Sequence, residues 1–308
     1  MTSRQTRDKE QGGQDLALPG TLVNADPEPA TPSGQGAAEQ GRNHPGTGQM
    51  TLALRFAVRS DVGLLREGNE DSAYAGPHLL AVADGMGGHA GGEVASAAAI
   101  TTIAALDEDD PGTDLVSALA AAVTAANLRL QDLIISDPTI QDMGTTLTAL
   151  LWRDGRAALC HIGDSRAYLL RGGQFARLTH DHTLVQSLVD EGKISEDDVA
   201  THPHRSLLLR ALDGQTVARP DLAPLETYPG DRYLLCSDGL SGVVSEPTLQ
   251  QALSSVPDLD EVTSRLVKLA IEGGGPDNIT CIVADVIEGH SSHLPPTWRP
   301  VVAGAASG

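Results

Sequence analysis

The stretch LLAVADGMGGHAGG, residues Leu79–Gly92, decides the fold of this chain. Its first five residues form a short apolar run typical of a buried strand, and the run ends at the carboxylate of Asp84. Glycines follow at once, so the backbone can turn sharply and a ligand can approach the carbonyl oxygens. An acid placed this way suits a hard metal ion that prefers oxygen ligands. A single Asp-Gly pair is more often just an acidic turn, so the interpretation depends on repetition elsewhere.

Size, charge and cysteine content restrict the classes of protein that this chain can belong to. It has 308 residues, 40% of them hydrophobic, which is enough for one large or two small domains. The net charge is −20 and there is no basic stripe, so we expect no nucleic-acid partner. Because an acidic protein repels phosphorylated substrates, a phosphate site would need its own local positive charge. Cys160, Cys236 and Cys281 each lie in an apolar run and are interpreted as core thiols.

The localisation follows from what the sequence lacks. The N-terminus has no apolar core of a signal peptide, and we find no apolar segment long enough to span a membrane. We therefore expect a cytoplasmic protein without a membrane partner, and we expect it to be a monomer.

Composition divides the chain into three parts. Residues 1–50 are rich in Gly, Pro, Gln and Glu without an apolar period, which predicts a disordered N-terminal arm. Residues 51–288 are continuously patterned and predict one folded domain. Residues 289–308 predict a flexible C-terminal tail.

Within the domain, the pattern alternates between strands and one-sided helices. A helix is predicted over Glu93–Leu106, and a second, capped by Thr113, carries a clear apolar stripe. Hairpin turns are predicted at Asp154-Gly155 and Gly172-Gly173, and a helix begins after Asp258. Residues 183–214 are interpreted as a mobile segment that covers the strand ends.

Three more acids repeat the pattern of Asp84 at the ends or starts of strands. Asp164 follows the strand ending at Ile162, Asp238 follows an apolar run, and Asp277 directly precedes another. Antiparallel pairing brings strand starts and ends to one edge of a sheet. Four acids there would repel one another strongly unless cations lie among them. Two divalent ions bridged by a carboxylate satisfy this requirement, and such sites hydrolyse phosphate esters well.

A cation and more acids occur near the start of the domain. Arg66 is followed by Asn69, Glu70 and Asp71. This group is either a surface salt-bridge cluster or a phosphate clamp beside a metal site, since the guanidinium offers a fork that matches phosphate oxygens. The histidines are interpreted more simply: His161 as a packed core residue, and the His202-Pro-His204 stretch as exposed.

These segments together resemble the metal-dependent serine/threonine protein phosphatases of type 2C, in particular the bacterial branch that opposes eukaryote-like Ser/Thr kinases. The matching segments run in family order over residues 55–286, nearly the whole domain. They are Arg66–Asp71, Val82–Gly88, Met143–Thr146, Ile162–Arg166, Cys236–Leu240 and Gly274–Thr280. The resemblance implies an α+β fold, a four-layer α-β-β-α sandwich of two antiparallel sheets flanked by helices. Residues 51–288 would then be the catalytic domain.

The resemblance also implies a role for each candidate site residue and two Mn²⁺ or Mg²⁺ ions as cofactors. It implies that Asp84 bridges the two ions, that the Gly85 carbonyl completes one shell, and that Asp238 and Asp277 bind the other ion. It further implies that Glu70 and Asp71 hold coordinated waters or contact metal, and that Arg66 binds the substrate phosphate. Asp164 with Asp238 would form a third, weaker metal position. Asn278 would support these ligands. The nucleophile would be a metal-bridging water that attacks phosphorus in line.

One position departs from the family pattern. Many eukaryotic members carry a histidine directly after the Asp-Gly, thought to protonate the leaving alkoxide, and here that position is Met86. The acid is then a metal-bound water, and no side chain is assigned to the role. His89 lies nearby in sequence.

The expected function is hydrolysis of phosphoserine and phosphothreonine on proteins, with a eukaryote-like Ser/Thr kinase among the expected partners. The alternative is a stress-response regulator phosphatase with one dedicated partner protein. A catalytically dead binding module would lack metal ligands, and none of the core acids is missing.

Overall fold

Two antiparallel sheets lie face to face, and helices cover the outer surface of each. The structure, a computed structural model, describes residues 50–87, 90–108, 114–153, 155–290 and 299–307. The strands described are β1 (Met50–Asp61), β2 (Asp71–Ala75), β3 (Leu79–Met86), β4 (Gly144–Thr145), β5 (Leu147–Arg153), β6 (Arg156–Ile162), β7 (Arg166–Arg171), β8 (Gln174–Arg177), β9 (Asp221–Glu226), β10 (Arg232–Cys236), β11 (Ile279–His290) and β12 (Val301–Gly304). The α-helices described are α1 (Ala90–Ile103), α2 (Ala105–Glu108), α3 (Leu115–Ser136), α4 (Leu184–Asp190), α5 (Glu196–Val199), α6 (Asp238–Ser241), α7 (Glu246–Ser255) and α8 (Leu259–Glu272).

The strand order places both sheets around one shared apolar layer. The first sheet runs β1-β11-β10-β7-β8, and the second runs β12-β2-β3-β5-β6-β9, with β4 added beside β3. Buried residues of both sheets, such as Val82, Leu169, Tyr233 and Ile282, form the layer between them. The hairpin predictions at residues 154–155 and 172–173 are confirmed by the pairing of β5 with β6 and of β7 with β8.

Two further apolar layers complete the four-layer sandwich. Helices α1 and α3 pack on the second sheet, and α7 and α8 pack on the first. The expected fold class, an α-β-β-α sandwich, is confirmed. Helix α8 is strongly amphipathic because only one face of it meets a sheet, whereas α1 is built almost entirely of small and apolar residues.

Helix α3 differs from expectation in two respects. The predicted N-cap Thr113 lies outside the described residues, and the Asp114 side chain caps the helix by accepting from the Ser117 backbone N–H. By length and composition α3 would also pass as a membrane span, so the expectation that no segment is long enough is wrong on that criterion. Its buried stripe, from Leu115 to Leu130, packs on the second sheet as a core helix does.

The C-terminal prediction also needs correction. Strand β11 continues to His290, and the stretch expected to be a flexible tail contains β12, which pairs antiparallel with β2. The backbone N–H of Ala306 donates to the Ser72 hydroxyl, so the segment is also fixed beyond the strand. Sequence patterning missed β12 because four residues at a sheet edge carry too short a period to recognise. The predicted arm, residues 1–50, lies outside the described residues apart from Met50, which begins β1.

Gly304 offers a test of this C-terminal strand. Its φ is +72°, and a Cβ there would overlap the carbonyl oxygen of Asp71 on β2. We expect Gly304→Ala to lower the melting temperature by roughly 2–8 °C, since about 1–2 kcal/mol is lost. The matched control is Gly173→Ala, at φ +84° with open space around the new methyl group. Differential scanning fluorimetry of the two variants measures the difference. Equal melting temperatures would mean that β12 does not dock on β2.

Candidate active site

One cavity of about 460 Å³ is lined by five of the six acids that the sequence singles out, all except Asp71. Its lining includes residues of β3 in the second sheet, of loops that connect to the first sheet, and of the loop after α5. The lining residues are Arg66, Glu70, Asp84, Gly85, Met86, Gly87, Thr146, Asp164, Ser206, Leu208, Asp238 and Asp277. The prediction that four separated aspartates lie together is therefore confirmed.

The way in which the acids come together differs from the expectation of a single sheet edge. Asp84 lies within β3, which continues to Met86 and pairs there with β4. Asp164 lies in the turn that connects β6 of the second sheet to β7 of the first, while Asp238 begins α6 after β10. Asp277 precedes β11 of the first sheet. The site thus spans both sheets, because face-to-face packing brings their loops together.

Hydroxyl side chains hold the backbone around Asp84. The Asp84 N–H donates to the Thr146 hydroxyl at 3.0 Å, and the Asp84 carbonyl accepts from the Thr146 N–H and the Thr145 hydroxyl, both at 2.9 Å. The Thr146 hydroxyl also bonds Ser165, the residue after Asp164. Thr145 and Thr146 belong to a motif quoted from the sequence, but no role was predicted for them.

Gly85 is required by close packing. A Cβ at this position would overlap the Gly92 carbonyl oxygen and would lie 2.5 Å from the Glu70 carbonyl oxygen. The Gly85 N–H donates to that same Glu70 oxygen at 3.2 Å. Only glycine therefore lets β3 lie this close to Gly92 of α1 and to Glu70, the residue before β2.

Asp71 is a fully buried carboxylate with one unsatisfied oxygen. It lies opposite Asp84 in the β2–β3 pairing, and its Oδ2 accepts from the Ser237 hydroxyl at 2.7 Å. Its Oδ1 is buried and has no hydrogen-bond partner among the residues that the structure describes. A buried carboxylate oxygen without a partner is costly, and a cation or a coordinated water nearby removes that cost.

Arg66 and Asn278 connect the loop after β1 to the start of β11. Arg66 Nη2 donates to Asp277 Oδ2 at 2.7 Å. Asn278 Nδ2 donates to the Val62 and Gly68 carbonyls, and its Oδ1 accepts from the Glu70 N–H at 2.8 Å. Asn278 therefore supports the loop that presents Arg66 and Glu70.

Burial and mutual repulsion change the acid–base behaviour of the cluster. Burial, with the charge of Asp71 next in importance, raises the pKa of Asp84 well above its ordinary value. Burial raises the pKa of Asp71 to about 7 and that of Asp164 to about 8, and Asp238 shifts in the same direction. Carboxylates in this state retain protons near neutral pH unless cations compensate their charge.

The donor set fits hard divalent ions. The carboxylates and the Gly85 carbonyl offer oxygen ligands only, as Mn²⁺ and Mg²⁺ prefer, and Asp71 Oδ1 lacks another partner. Within the described residues, no three acidic, histidine or cysteine side chains close around a single point. Ions held here would therefore complete their shells with backbone oxygen and water, which is how Mg²⁺ is commonly bound.

These pKa shifts predict how pH affects the chelated protein. Asp71 and Asp164 are protonated up to about pH 7–8 when folded but lose their protons near pH 4 when unfolded, so folding binds protons between these limits. The free energy of unfolding then falls as pH rises from 5 to 8.5. A loss of about 2 kcal/mol would lower the melting temperature by roughly 4–8 °C. Melting curves in EDTA test this, and added Mn²⁺ should remove the trend. A melting temperature that rises with pH in EDTA would contradict it.

Comparison with known proteins identifies the class. Residues 69–272 match the family model described as protein phosphatase 2C. The serine/threonine protein phosphatase PstP of Mycobacterium tuberculosis is 52% identical over 260 residues, which cover 84% of this chain and 49% of that protein. The serine/threonine phosphatase stp of Listeria monocytogenes is 34% identical over 245 residues, covering 75% of this chain and 96% of that protein.

A solved structure agrees with these relatives. The catalytic domain of PstP in complex with two manganese ions superposes with a TM-score of 0.73 at 53% identity, covering 77% of this chain and all of that one. The chain belongs to the protein phosphatase 2C family. It spans about half the length of PstP.

Several residues that organise the site were missed by sequence reasoning. Ser237 and the Thr145-Thr146 pair stand inside the motifs, where their hydroxyls give a signal that was not used. Ser206 lines the cavity from a distant loop, and no pattern in the sequence indicated it. His161 is buried as predicted, while His89 lies outside the described residues. The three cysteines are buried and unpaired, as predicted.

Proposed function

We propose that this chain is a metal-dependent protein phosphatase that hydrolyses phosphoserine and phosphothreonine monoesters. The observation that carries the proposal is the single cavity in which four aspartates from separate segments lie beside the Arg66 guanidinium. Family membership and the names of the relatives support the same reaction. The combination suits a phosphate group, because cations neutralise the acids and the arginine supplies local positive charge in an acidic protein.

Each group in the cavity has a defined task in this proposal. Asp84, Asp238 and Asp277, with the Gly85 carbonyl, would hold two Mn²⁺ or Mg²⁺ ions. When bound, such a pair supplies charge neutralisation and an activated water. Arg66 would bind the phosphate oxygens from the rim, where its side chain is 46% exposed and its bond to Asp277 keeps it in place. Asp71, Glu70 and Asn278 would fix the surrounding shell.

Protonation of the leaving alkoxide cannot come from the residue after Gly85. Met86 lines the cavity there and its thioether carries no proton to donate. Asp164 lines both this cavity and a neighbouring one of about 300 Å³, so it lies where the two cavities adjoin. We propose that Asp164 would help to hold a third, weaker ion there, which when bound would supply an acidic water for the leaving group.

Phosphate release from defined peptides tests the proposed function. The full chain is assayed with matched phosphoserine, phosphothreonine and phosphotyrosine peptides, first in EDTA and then with Mn²⁺ restored. We expect no release in EDTA and recovery with Mn²⁺ on the first two peptides. Full activity in metal-free buffer, or no release with any divalent ion, would overturn the proposal.

Arg66→Ala should separate substrate binding from chemistry. The change removes a bidentate phosphate contact, so we expect KM for a phosphoprotein to rise by about tenfold or more while kcat changes less. The matched control is Arg55→Ala, which removes a similarly exposed arginine–aspartate pair on β1 and does not line the cavity. Steady-state kinetics measure both variants. Unchanged kinetics for Arg66→Ala would rule out the phosphate contact.

The cellular setting stays a prediction. We propose phosphorylated proteins as substrates, a eukaryote-like Ser/Thr kinase among the partners, and a cytoplasmic monomer. A phosphoproteome comparison of a deletion strain with its parent would test the first two, since sites that gain phosphate identify both substrates and kinase.

A further inference from the structure

The turn that carries Asp164 rests on a segment from the other side of the β7–β8 hairpin. This segment is Thr179–Thr183, which follows β8. The Ala167 N–H donates to the Thr179 hydroxyl at 3.1 Å, and Arg166 binds Asp181 through Nε and Nη2. Both of these contacts lie on the β7 side of the turn, after Asp164.

His182 holds the other side of the turn, directly before Asp164. The Gly163 N–H donates to His182 Nδ1 at 3.1 Å, and the His182 N–H donates to the Gly163 carbonyl at 2.7 Å. Gly163 has a φ of +112°, and a Cβ there would lie 2.5 Å from the Thr146 side chain. The peptide before Asp164 is therefore fixed between His182 and the threonine that also holds Asp84.

The protonation state of His182 follows from its partners. Nδ1 accepts from Gly163, so the ring proton is on Nε2, which donates to Asp221 Oδ2 at 3.0 Å. Burial lowers the pKa of His182, which keeps the ring neutral. Burial opposes ionisation of Asp221, but hydrogen bonds from His182 and Arg210 more than offset it and lower its pKa to about 2.

The same group of residues anchors the loop over the cavity. Asp221 Oδ1 accepts from Arg210 Nη1 at 2.8 Å, and the Leu209 N–H donates to the His182 carbonyl. His182 precedes the loop and Arg210 follows its far end. The two ends of residues 183–209 are thus held by a backbone bond to His182 and by the Arg210–Asp221 ion pair.

We infer that His182, oriented by Asp221, is a positioning residue that sets the direction of Asp164 through the Gly163 peptide. The inference rests on the proposed role of Asp164 in binding a weaker metal ion. Residues that orient metal ligands typically change metal affinity or activity by roughly 10–100-fold when removed. His182 touches neither substrate nor metal in this account and acts only through Gly163.

Three variants test the inference in the full chain. His182→Leu removes the acceptor for Gly163, and His182→Asn restores an acceptor at nearly the place of Nδ1. The control is His180→Leu, since the His180 ring bonds Asp190 alone within the described part of the chain and its side chain is 31% exposed. We expect His182→Leu to raise the Mn²⁺ concentration needed for half-maximal turnover by about tenfold or more. We expect KM for substrate to stay unchanged in His182→Leu. His182→Asn should recover most of the lost Mn²⁺ response, and the His180→Leu control should match wild type.

Hydrogen exchange gives a readout independent of activity. In EDTA-treated protein, exchange at the Gly163 amide should accelerate in His182→Leu. The His182→Asn and His180→Leu variants should keep wild-type protection of this amide. Should His182→Leu fail to fold, Asp221→Asn replaces it, because it weakens the orientation of the ring at unchanged size. Wild-type protection of Gly163 in folded His182→Leu, or in Asp221→Asn where that variant replaces it, would overturn the inference.

A double-mutant cycle separates this inference from the proposed function. If His182 acts through Asp164, His182→Leu should have no further effect on kcat in the Asp164→Ala background. Additive losses would overturn the inference and leave the role of Asp164 intact. If Asp164→Ala alone keeps normal turnover and metal dependence, the proposed role of Asp164 itself has failed.

Discussion

Asp84→Ala should lose turnover by roughly a thousandfold while remaining folded. The Asp84 side chain is the one proposed to bridge two ions, and such an ion pair stabilises the charge of the transition state by several kcal/mol. A loss of about 4 kcal/mol of this stabilisation corresponds to the thousandfold decrease in turnover. The change also removes a buried carboxylate whose pKa burial and Asp71 raise well above its ordinary value. In EDTA at pH 8 we therefore expect the variant to melt no lower than wild type.

The matched control for this variant is Asp107→Ala. Asp107 is also buried, but it accepts from the Tyr74 hydroxyl and the His78 N–H away from the cavity. We expect this control to lose stability and to keep kcat and metal binding per folded molecule. Kinetics, calorimetry with Mn²⁺ and melting curves measure both variants. Two tightly bound ions in Asp84→Ala would show that Asp84 does not bridge them.

Asp164→Ala should separate metal binding from turnover. Asp84, Asp238 and Asp277 remain in place, so two tight ions should still bind. Turnover should fall by about 100-fold, because general acid assistance typically contributes a factor of about 10²–10⁴ and Met86 offers no substitute.

The leaving group provides the sharper control for Asp164. A p-nitrophenyl ester leaves readily without a proton, whereas a serine alkoxide does not, so the loss for Asp164→Ala should be much smaller on the aryl phosphate. Calorimetry and parallel kinetics on the two substrates test this. Loss of the central ions, or equal losses on both substrates, would contradict the assigned role.

The sequence was sufficient for the parts of the fold that have a strong local pattern. The hairpins at residues 154–155 and 172–173 carry glycine turns, and α8 begins at a capping aspartate, Asp258. The four acids were recognisable because each follows or precedes an apolar run. What could not be predicted depends on contacts between distant segments. The short strand β12 is defined by its pairing with β2, and the division of the acids between two sheets follows from face-to-face packing.

The same limit applies to the details of the site. The bond from Arg66 to Asp277 joins residues that lie 211 positions apart, and nothing local indicates it. The unsatisfied Oδ1 of Asp71 is visible only when burial and hydrogen bonds are known. His182 lies directly before the segment interpreted as a mobile cover, residues 183–214, and the sequence assigned it no role, whereas its ring is buried against the turn that carries Asp164.

The central claim is that the carboxylate cavity works by holding a pair of divalent ions. The most direct measurement titrates Mn²⁺ into EDTA-treated, dialysed protein and records bound ions and phosphate release from a phosphothreonine peptide in the same samples. The account predicts little release until the second tight ion binds, then a steep rise, with Asp84→Ala failing to bind the pair. Full release at one ion per chain, or at none, would contradict it.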